Sequence, residues 1–313
     1  MEKLIRNFND ETEFNYSIHI SEEFRFIYFN NPKCACTTVK ATLNQSCAKV
    51  LGKSLHYDGM QDIHNRQKNV LLSPAQIGYK NFEDKLSDCN YFKFCFIREP
   101  IRRVASAFQD KLTWNSQFRV ALNRSLVRPE QAEISFEQFA SGVASDTKIR
   151  DMDEHWRLQC KQVCFDFVKF DKVGLFENLE ADLVAILRQI FSAEADSEIF
   201  DARTHFRENV SKGDRVRSSM PADVRALIEY VYRDDVELHA TLEKTCSGAS
   251  DSSVTSNQGS RSSPSPVLAG SEPHQLVAAR SSWGKNCSNS DLAAQRHRRH
   301  SLTERRSQAL VPR

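Results

Sequence analysis

A short β-favouring run followed by a helical pattern occurs three times in the first 246 residues, and this repetition constrains the fold most strongly. The runs are rich in aromatic and aliphatic residues and occupy positions 24–30, 91–97 and 172–176. Helical patterns of apolar residues follow them from about 37, from about 100 and over 179–191. The sequence therefore predicts an α/β fold with a central, mainly parallel sheet flanked by helices.

Size and composition limit what else the chain could be. It has 313 residues, of which 40% are hydrophobic, and this is enough to bury a sizeable core. Its formal net charge of +2 gives no global reason to expect a nucleic-acid partner. No run approaches the roughly 20 apolar residues that span a bilayer, and residues 1–13 lack the apolar centre of a signal peptide. We expect a soluble, cytoplasmic protein without stable membrane insertion.

The composition changes at about Ser247. From there the chain is rich in serine, proline and arginine and poor in large apolar residues, so burial cannot offset the entropy lost on ordering. This predicts a folded domain over 1–246 and a disordered tail over 247–313. The nine cysteines are scattered without a repeated metal-ligand spacing, so we expect mostly free thiols and no metal site.

The turn after the first predicted strand reads Pro-Lys-Cys-Ala-Cys-Thr-Thr over residues 32–38. The unpaired N–H groups and the positive dipole at the start of the following helix attract anions. Lys33 adds a cation, and Thr37 and Thr38 add hydroxyl donors. The nucleotide-hydrolase loop Gly-x-x-x-x-Gly-Lys-Ser/Thr is absent. The turn therefore predicts either another kind of phosphate site or a simple strand–helix corner with Thr37 as the N-cap.

A second turn carries Arg98 at the end of the second predicted strand. Ser106 follows eight residues later, about two turns along the next helix. A guanidinium offers paired donors to a phosphate, and a serine hydroxyl can complete the set. Ligands of parallel sheets bind at the carboxyl ends of the strands. Anion sites at two neighbouring strand ends would suit a nucleoside with phosphates at both ends, although Arg98 could also be a plain surface residue.

The two turns resemble the donor-binding motifs of sulfotransferases. Residues 32–38 are similar to their 5′-phosphosulfate loop, and Phe-Cys-Phe-Ile-Arg-Glu-Pro-Ile-Arg-Arg-Val-Ala-Ser-Ala-Phe at 94–108 is similar to their 3′-phosphate motif. Asp-Glu-His-Trp and the run that follows it, within 153–180, resemble a third element of the carbohydrate sulfotransferases of the chondroitin 4-O and HNK-1 type. The likeness keeps the same order over about 26–239. It implies their P-loop-like three-layer fold.

The resemblance also implies an activity. It is the in-line, metal-independent transfer of a sulfuryl group from 3′-phosphoadenylyl sulfate (PAPS) to a hydroxyl of a carbohydrate or glycan acceptor. Arg98 and Ser106 would bind the 3′-phosphate of the donor. Lys33 would face its bridging oxygen and leaving phosphate, and Lys212, in a Lys-Gly pair, would either close over the donor or belong to a solvated loop. The residues that would hold the 5′-phosphosulfate are Lys33, Cys34, Ala35, Cys36, Thr37 and Thr38.

The acceptor hydroxyl needs a base, and histidine has a pKa near neutrality. His64 lies between the two phosphate motifs, where the family has a histidine, and is the first candidate. His155 is the rival, although beside Trp156 it could merely orient the acceptor. An unrecognised carboxylate is a further alternative. Trp156 could stack on a sugar ring or belong to the core.

The chain also departs from the family. Its animal members begin with a membrane anchor, for which we find no counterpart, so their Golgi location is not carried over. The Golgi lumen is the alternative to the cytoplasm if an N-terminal anchor is missing from this chain. Cys160 and Cys164 match the family's paired cysteines only in part, and a disulfide between them stays open. Two other functions stay open as well. A nucleoside or nucleotide kinase would share the sheet and the phosphate turn, and a catalytically inactive binding module would keep the fold without the chemistry.

Overall fold

Four strands form one mixed sheet in a computed structural model, which describes residues 1–113, 116–191 and 220–248. The strands are β1 (Ile18–Ser21), β2 (Phe26–Phe29), β3 (Phe92–Ile97) and β4 (Lys172–Leu175). Their spatial order is β1-β2-β3-β4. β1 is antiparallel to β2, whereas β2, β3 and β4 are mutually parallel. The carboxyl ends of β2, β3 and β4 therefore meet at one edge of the sheet.

Helices flank this sheet. In chain order the α-helices of the described residues are α1 (Glu2–Ile5), α2 (Glu11–Ser17), α3 (Cys36–Val50), α4 (Met60–His64), α5 (Pro74–Ile77), α6 (Tyr79–Ser87), α7 (Pro100–Ala107), α8 (Ser116–Ser125), α9 (Phe136–Ser145), α10 (Thr147–Asp151), α11 (Gln159–Gln162), α12 (Leu179–Phe191), α13 (Ala222–Val231) and α14 (Arg233–Gly248). A π-helix, Phe108–Thr113, continues α7. Short 3₁₀ helices occupy Arg66–Lys68 and Phe176–Asn178.

The three predicted strands and the helix that follows each of them are confirmed. Their boundaries differ from the prediction by a few residues at most, because the apolar runs are long and strongly periodic. α7 begins where the sequence predicts, with Pro100 in its first turn and the Glu99 side chain accepting hydrogen bonds from the first backbone N–H groups. β1 was not predicted, and it makes the sheet mixed rather than wholly parallel. Its four residues, Ile-His-Ile-Ser, follow helix α2 with no turn between them, so no turn residues mark the start of this strand.

Side chains alternate across the sheet, as strand geometry requires. Tyr28 and Phe94 pack on one face against α3 and α12. Ile27 and Phe29 belong to a second apolar cluster on the other face, which includes Phe82 of α6. The chain is thus α/β, with apolar clusters burying both sides of its sheet.

Gly174 of β4 lies directly opposite Phe96 of β3. A Cβ atom at Gly174 would lie 2.4 Å from Cε1 of the Phe96 ring, which is far inside contact distance. We expect Gly174→Ala to lower the free energy of unfolding by about 1–3 kcal/mol, since the ring must move out of a buried site. Urea unfolding measures this directly. Gly59→Ala is the matched control, because a Cβ there meets no described atom within 4 Å; equal stability of both variants would contradict the prediction.

The described residues belong to one compact unit, Met1–Thr255. Helix α14 continues through Gly248, two residues beyond the predicted boundary at 246. The rest of the predicted tail lies outside the described residues, so its disorder and the domain boundary stay predictions. Within the described ranges, no helix combines the length and the apolar character needed to cross a membrane.

Candidate active site

A buried glutamine joins the ends of β2 and β3. The Oε1 atom of Gln159 accepts hydrogen bonds from Nδ2 of Asn31 at 3.0 Å and from the backbone N–H of Arg98 at 2.9 Å. Its Nε2 donates to the Arg98 carbonyl at 2.8 Å. Asn31 also donates to the carbonyl of Phe96 at 3.0 Å. These bonds fix the two predicted phosphate turns against each other, a function of Gln159 that no sequence pattern indicates.

The first turn has a backbone suited to anions. Lys33 and Ala35 both adopt left-handed φ angles, of 69° and 58°. Left-handed residues within a tight turn point successive N–H groups into one concavity, a geometry that binds anions. Ala35 is the N-cap of α3, and no described side chain caps this helix. Thr37 therefore lies inside the helix, and the alternative that it serves as a simple N-cap is wrong.

Lys33 is held in place by contacts of its side chain and of its backbone. Its Nζ atom forms an ion pair of 3.0 Å with Oδ2 of Asp110 in the π-helix. Burial would raise the pKa of the Asp110 carboxyl, but the charge and hydrogen bond of Lys33 outweigh it and lower that pKa. The carbonyl of Lys33 accepts a hydrogen bond of 3.1 Å from Arg98. The structure thus brings together the two residues, Lys33 and Arg98, that the sequence analysis assigned to opposite ends of one donor.

Arg98 is 3% exposed, so it is no plain surface residue. Its guanidinium lies over the ring of Phe176, 4.1 Å from the centroid, which stabilises the cation without neutralising it. Ser106, the other predicted 3′-phosphate ligand, is buried in α7. Lys212, predicted to close over the donor, lies outside the described residues.

His64 contacts three side chains. Its Nδ1 atom lies 2.7 Å from the Tyr16 hydroxyl and 2.8 Å from Nζ of Lys40. Its Nε2 atom lies 3.3 Å from the hydroxyl of Thr37. Burial, with the positive charges of Lys40 and Lys111 added to it, lowers the pKa of His64 to about 4. His64 is therefore neutral at pH 7, and it contacts the first turn directly through Thr37.

His155 has a different environment. Its Nδ1 atom and its backbone N–H both lie within hydrogen-bond distance of Oδ1 of Asp153, at 2.7 and 2.8 Å. Phe118 packs against the ring edge to face, with the centroids 6.1 Å apart. Trp156 is fully buried and donates to the Ile149 carbonyl at 3.0 Å. It belongs to the core, and the hypothesis that it stacks on a sugar ring is wrong.

Arg103, one turn into α7, connects the site to the loop around His155. Its guanidinium donates to the carbonyls of Pro32 at 3.0 Å, Arg157 at 2.7 Å and Glu154 at 2.8 Å. Arg103 is 1% exposed. Sequence reasoning missed it, although its place inside the 94–108 motif marked the helix that carries it.

The cysteines of the site are thiols. Burial raises the pKa of Cys34 to about 12, so it stays protonated, and its Sγ lies 3.4 Å from Gln159 Oε1. Cys160 and Cys164 are free thiols, so no disulfide joins them. Among the described residues, no cluster of His, Cys, Asp and Glu has the arrangement of a metal site.

Comparison with known proteins adds a finding independent of the geometry. Residues 16–240 match the model of the sulfotransferase family. Human carbohydrate sulfotransferase 14 is 29% identical over 188 residues, 55% of this chain and 46% of the relative. Carbohydrate sulfotransferase 11 of Rattus norvegicus is 26% identical over 187 residues, 54% of this chain and 51% of the relative. Carbohydrate sulfotransferase 10 of the same organism is 27% identical over 143 residues, 41% of this chain and 40% of the relative.

The chain spans about half the length of the curated relatives it matches. No solved structure matches it significantly. The family match nevertheless covers residues 16–240 of 313, well over half of the chain, and it includes both phosphate turns and His155. The chain belongs to the sulfotransferase family.

Proposed function

We propose that this protein transfers a sulfuryl group from PAPS to a hydroxyl of a carbohydrate acceptor, on a P-loop-like three-layer fold. One observation carries the proposal. Two cation-bearing turns at neighbouring strand ends are tied together by Gln159 and by the bond from Arg98 to the Lys33 carbonyl. A donor with a phosphosulfate at one end of its nucleoside and a phosphate at the other would need this pairing. The similar proteins are named carbohydrate sulfotransferases, and this supports a carbohydrate as the acceptor.

The first turn would hold the 5′ end of the donor. Its left-handed residues and the uncapped start of α3 offer backbone N–H groups, and two threonine hydroxyls add to them. The residues we assign to this end are Lys33, Cys34, Ala35, Cys36, Thr37 and Thr38. Arg98 and Ser106 would bind the 3′-phosphate. Lys212 stays a predicted donor ligand.

Lys33 would stabilise the negative charge that develops on the leaving group. Sulfuryl transfer resembles phosphoryl transfer in needing in-line geometry and stabilisation of the charge that develops on the leaving group. An ammonium group beside the bridging oxygen meets this charge without reorganisation, because Asp110 and the turn already hold it in place. With Lys33 and the N–H groups in this role, the proposed reaction is independent of a metal.

A base must accept the proton of the acceptor hydroxyl. His64 and His155 are both candidates by position: His64 contacts Thr37 of the first turn, and Arg103 connects that turn to the residue before His155. A cytoplasmic location, with the Golgi lumen as the alternative, stays a prediction that imaging of a tagged chain would test.

Binding of the reaction product tests the donor site. We expect 3′-phosphoadenosine 5′-phosphate (PAP) to raise the melting temperature, whereas adenosine 5′-phosphate should raise it much less because it lacks the 3′-phosphate that Arg98 would bind. Arg98→Met should abolish this difference between the two nucleotides. Thermal shift assays at equal nucleotide concentration measure both effects. A larger shift with ATP and Mg²⁺ than with PAP would favour a nucleotide kinase instead.

A further inference from the structure

The contacts of His64 fix its tautomer. The ammonium group of Lys40 has three N–H donors and no lone pair, and it lies 2.8 Å from Nδ1 of His64. That nitrogen must therefore accept a hydrogen bond, and Lys40 also donates to the Tyr16 hydroxyl on the same side, at 3.2 Å. A neutral imidazole with an accepting Nδ1 carries its proton on Nε2. The Nε2–H of His64 then points at Thr37, in the turn that would hold the phosphosulfate.

The charges around His64 oppose a second proton. Lys40 of α3, Lys111 of the π-helix and His155 each disfavour its positive form. Protonated His64 would place a new cation 2.8 Å from an ammonium that is itself fully buried. A group in this position is suited to donate a hydrogen bond to an anion and unsuited to take up a proton.

His155 shows the opposite arrangement. Asp153 Oδ1 accepts from its Nδ1–H and from its backbone N–H, which fixes the ring and makes Nε2 the nitrogen that can exchange a proton with a substrate. The carboxylate itself is ionised: burial would raise the pKa of Asp153, but the hydrogen bond and charge of His155 outweigh burial and lower it. An adjacent carboxylate stabilises the imidazolium that forms when Nε2 accepts a proton.

Asp110, Asp153 and Glu154 are carboxylates whose pKa values a charge on His155 would lower, and Lys111 is a cation that lowers the pKa values of Asp110 and Asp153 as well. Asp110 also holds Nζ of Lys33. A charge on His155 would thus act on the same carboxylate that positions the group proposed to meet the departing phosphate.

The geometry points to different roles for the two histidines. This inference rests on the proposed function. His155, oriented by Asp153, takes the proton of the acceptor hydroxyl. His64, held by Lys40 and Tyr16, is a positioning residue whose Nε2–H supports the phosphosulfate turn through Thr37.

Three variants test this division: His155→Gln, Asp153→Asn and His64→Gln. The assay is transfer of ³⁵S from labelled PAPS to the best acceptor in a panel of unsulfated polysaccharides and p-nitrophenyl glycosides, as a function of pH. His155→Gln should lower kcat by about 10²–10⁴-fold and remove the acidic limb of the pH–rate profile. Asp153→Asn should lower kcat and move that limb to lower pH. His64→Gln keeps an N–H donor and should keep the limb.

The PAP-induced rise in melting temperature is the matched control for folding and donor binding in each variant. Loss of the acidic limb in His64→Gln with its retention in His155→Gln would overturn the inference in favour of His64. Loss of the limb in Glu154→Gln alone would assign the base to that carboxylate. If His155→Gln does not fold, the shift of the limb in Asp153→Asn decides, because His64 has no contact with Asp153 that could produce it. Failure of the unaltered chain to bind PAP or to transfer label would instead refute the proposed function.

Discussion

Replacing Lys33 with alanine is expected to lower the rate of sulfuryl transfer by about 10²–10³-fold, the cost of losing one preorganised charge at a leaving group. Lys33 would touch the bridging oxygen in the ground state and the departing phosphate in the transition state. The substitution should therefore lower mainly kcat and reduce donor affinity to a smaller extent. Steady-state transfer of ³⁵S measures kcat, and PAP titration measures affinity.

Two further variants sharpen this result. Lys80→Ala removes an exposed lysine of α6 that pairs with Asp84 at 2.8 Å, and it should leave the rate unchanged. Asp110→Asn keeps Lys33 but removes its ion-pair partner, so we expect an intermediate loss of kcat. Full activity in Lys33→Ala would contradict the proposed role of the first turn.

Arg103→Met is expected to have the largest effect on stability, lowering the free energy of unfolding by about 3–5 kcal/mol. The variant keeps the aliphatic volume but leaves three buried carbonyls, those of Pro32, Arg157 and Glu154, without their donor. Because two of the three belong to the loop around His155 and one to the first turn, PAP binding should weaken as well. Urea unfolding and PAP titration measure the two effects separately.

The control for Arg103→Met is Arg225→Met in α13. Arg225 is 41% exposed and pairs with Glu229 one turn away at 3.5 Å, so its loss should cost no more than about 0.5 kcal/mol. Equal stability of the Arg103 and Arg225 variants would show that the buried guanidinium is not the connection that the structure indicates.

Local patterns were sufficient for most of the sheet and for the helices that follow its parallel strands. The apolar runs that became β2, β3 and β4, and the helices after them, were visible because each has its own period and its own turn residues. β1 was not predicted because it follows helix α2 with no turn between them and lacks the aromatic run of β2. Its antiparallel pairing with β2 follows from the tight turn between them, where Arg25 has a left-handed φ of 50°.

The sequence predicted several residues of the candidate site but not the contacts that connect them. Lys33 and Arg98 could be assigned from their turns, because strand ends of a parallel sheet meet at one edge. Gln159 could not, since it contacts Asn31 across 128 residues of sequence and its neighbours carry no recognisable pattern. Likewise, nothing local indicates that Lys40 and Tyr16 converge on His64.

The most direct test of the central claim is transfer of ³⁵S from labelled PAPS by the unaltered chain to a panel of carbohydrate acceptors, with PAP measured as the second product. We predict label in at least one carbohydrate, PAP formed in equal amount, and a large decrease of both in Lys33→Ala. Absence of label in every acceptor, with no PAP formed and no binding of PAP, would contradict it.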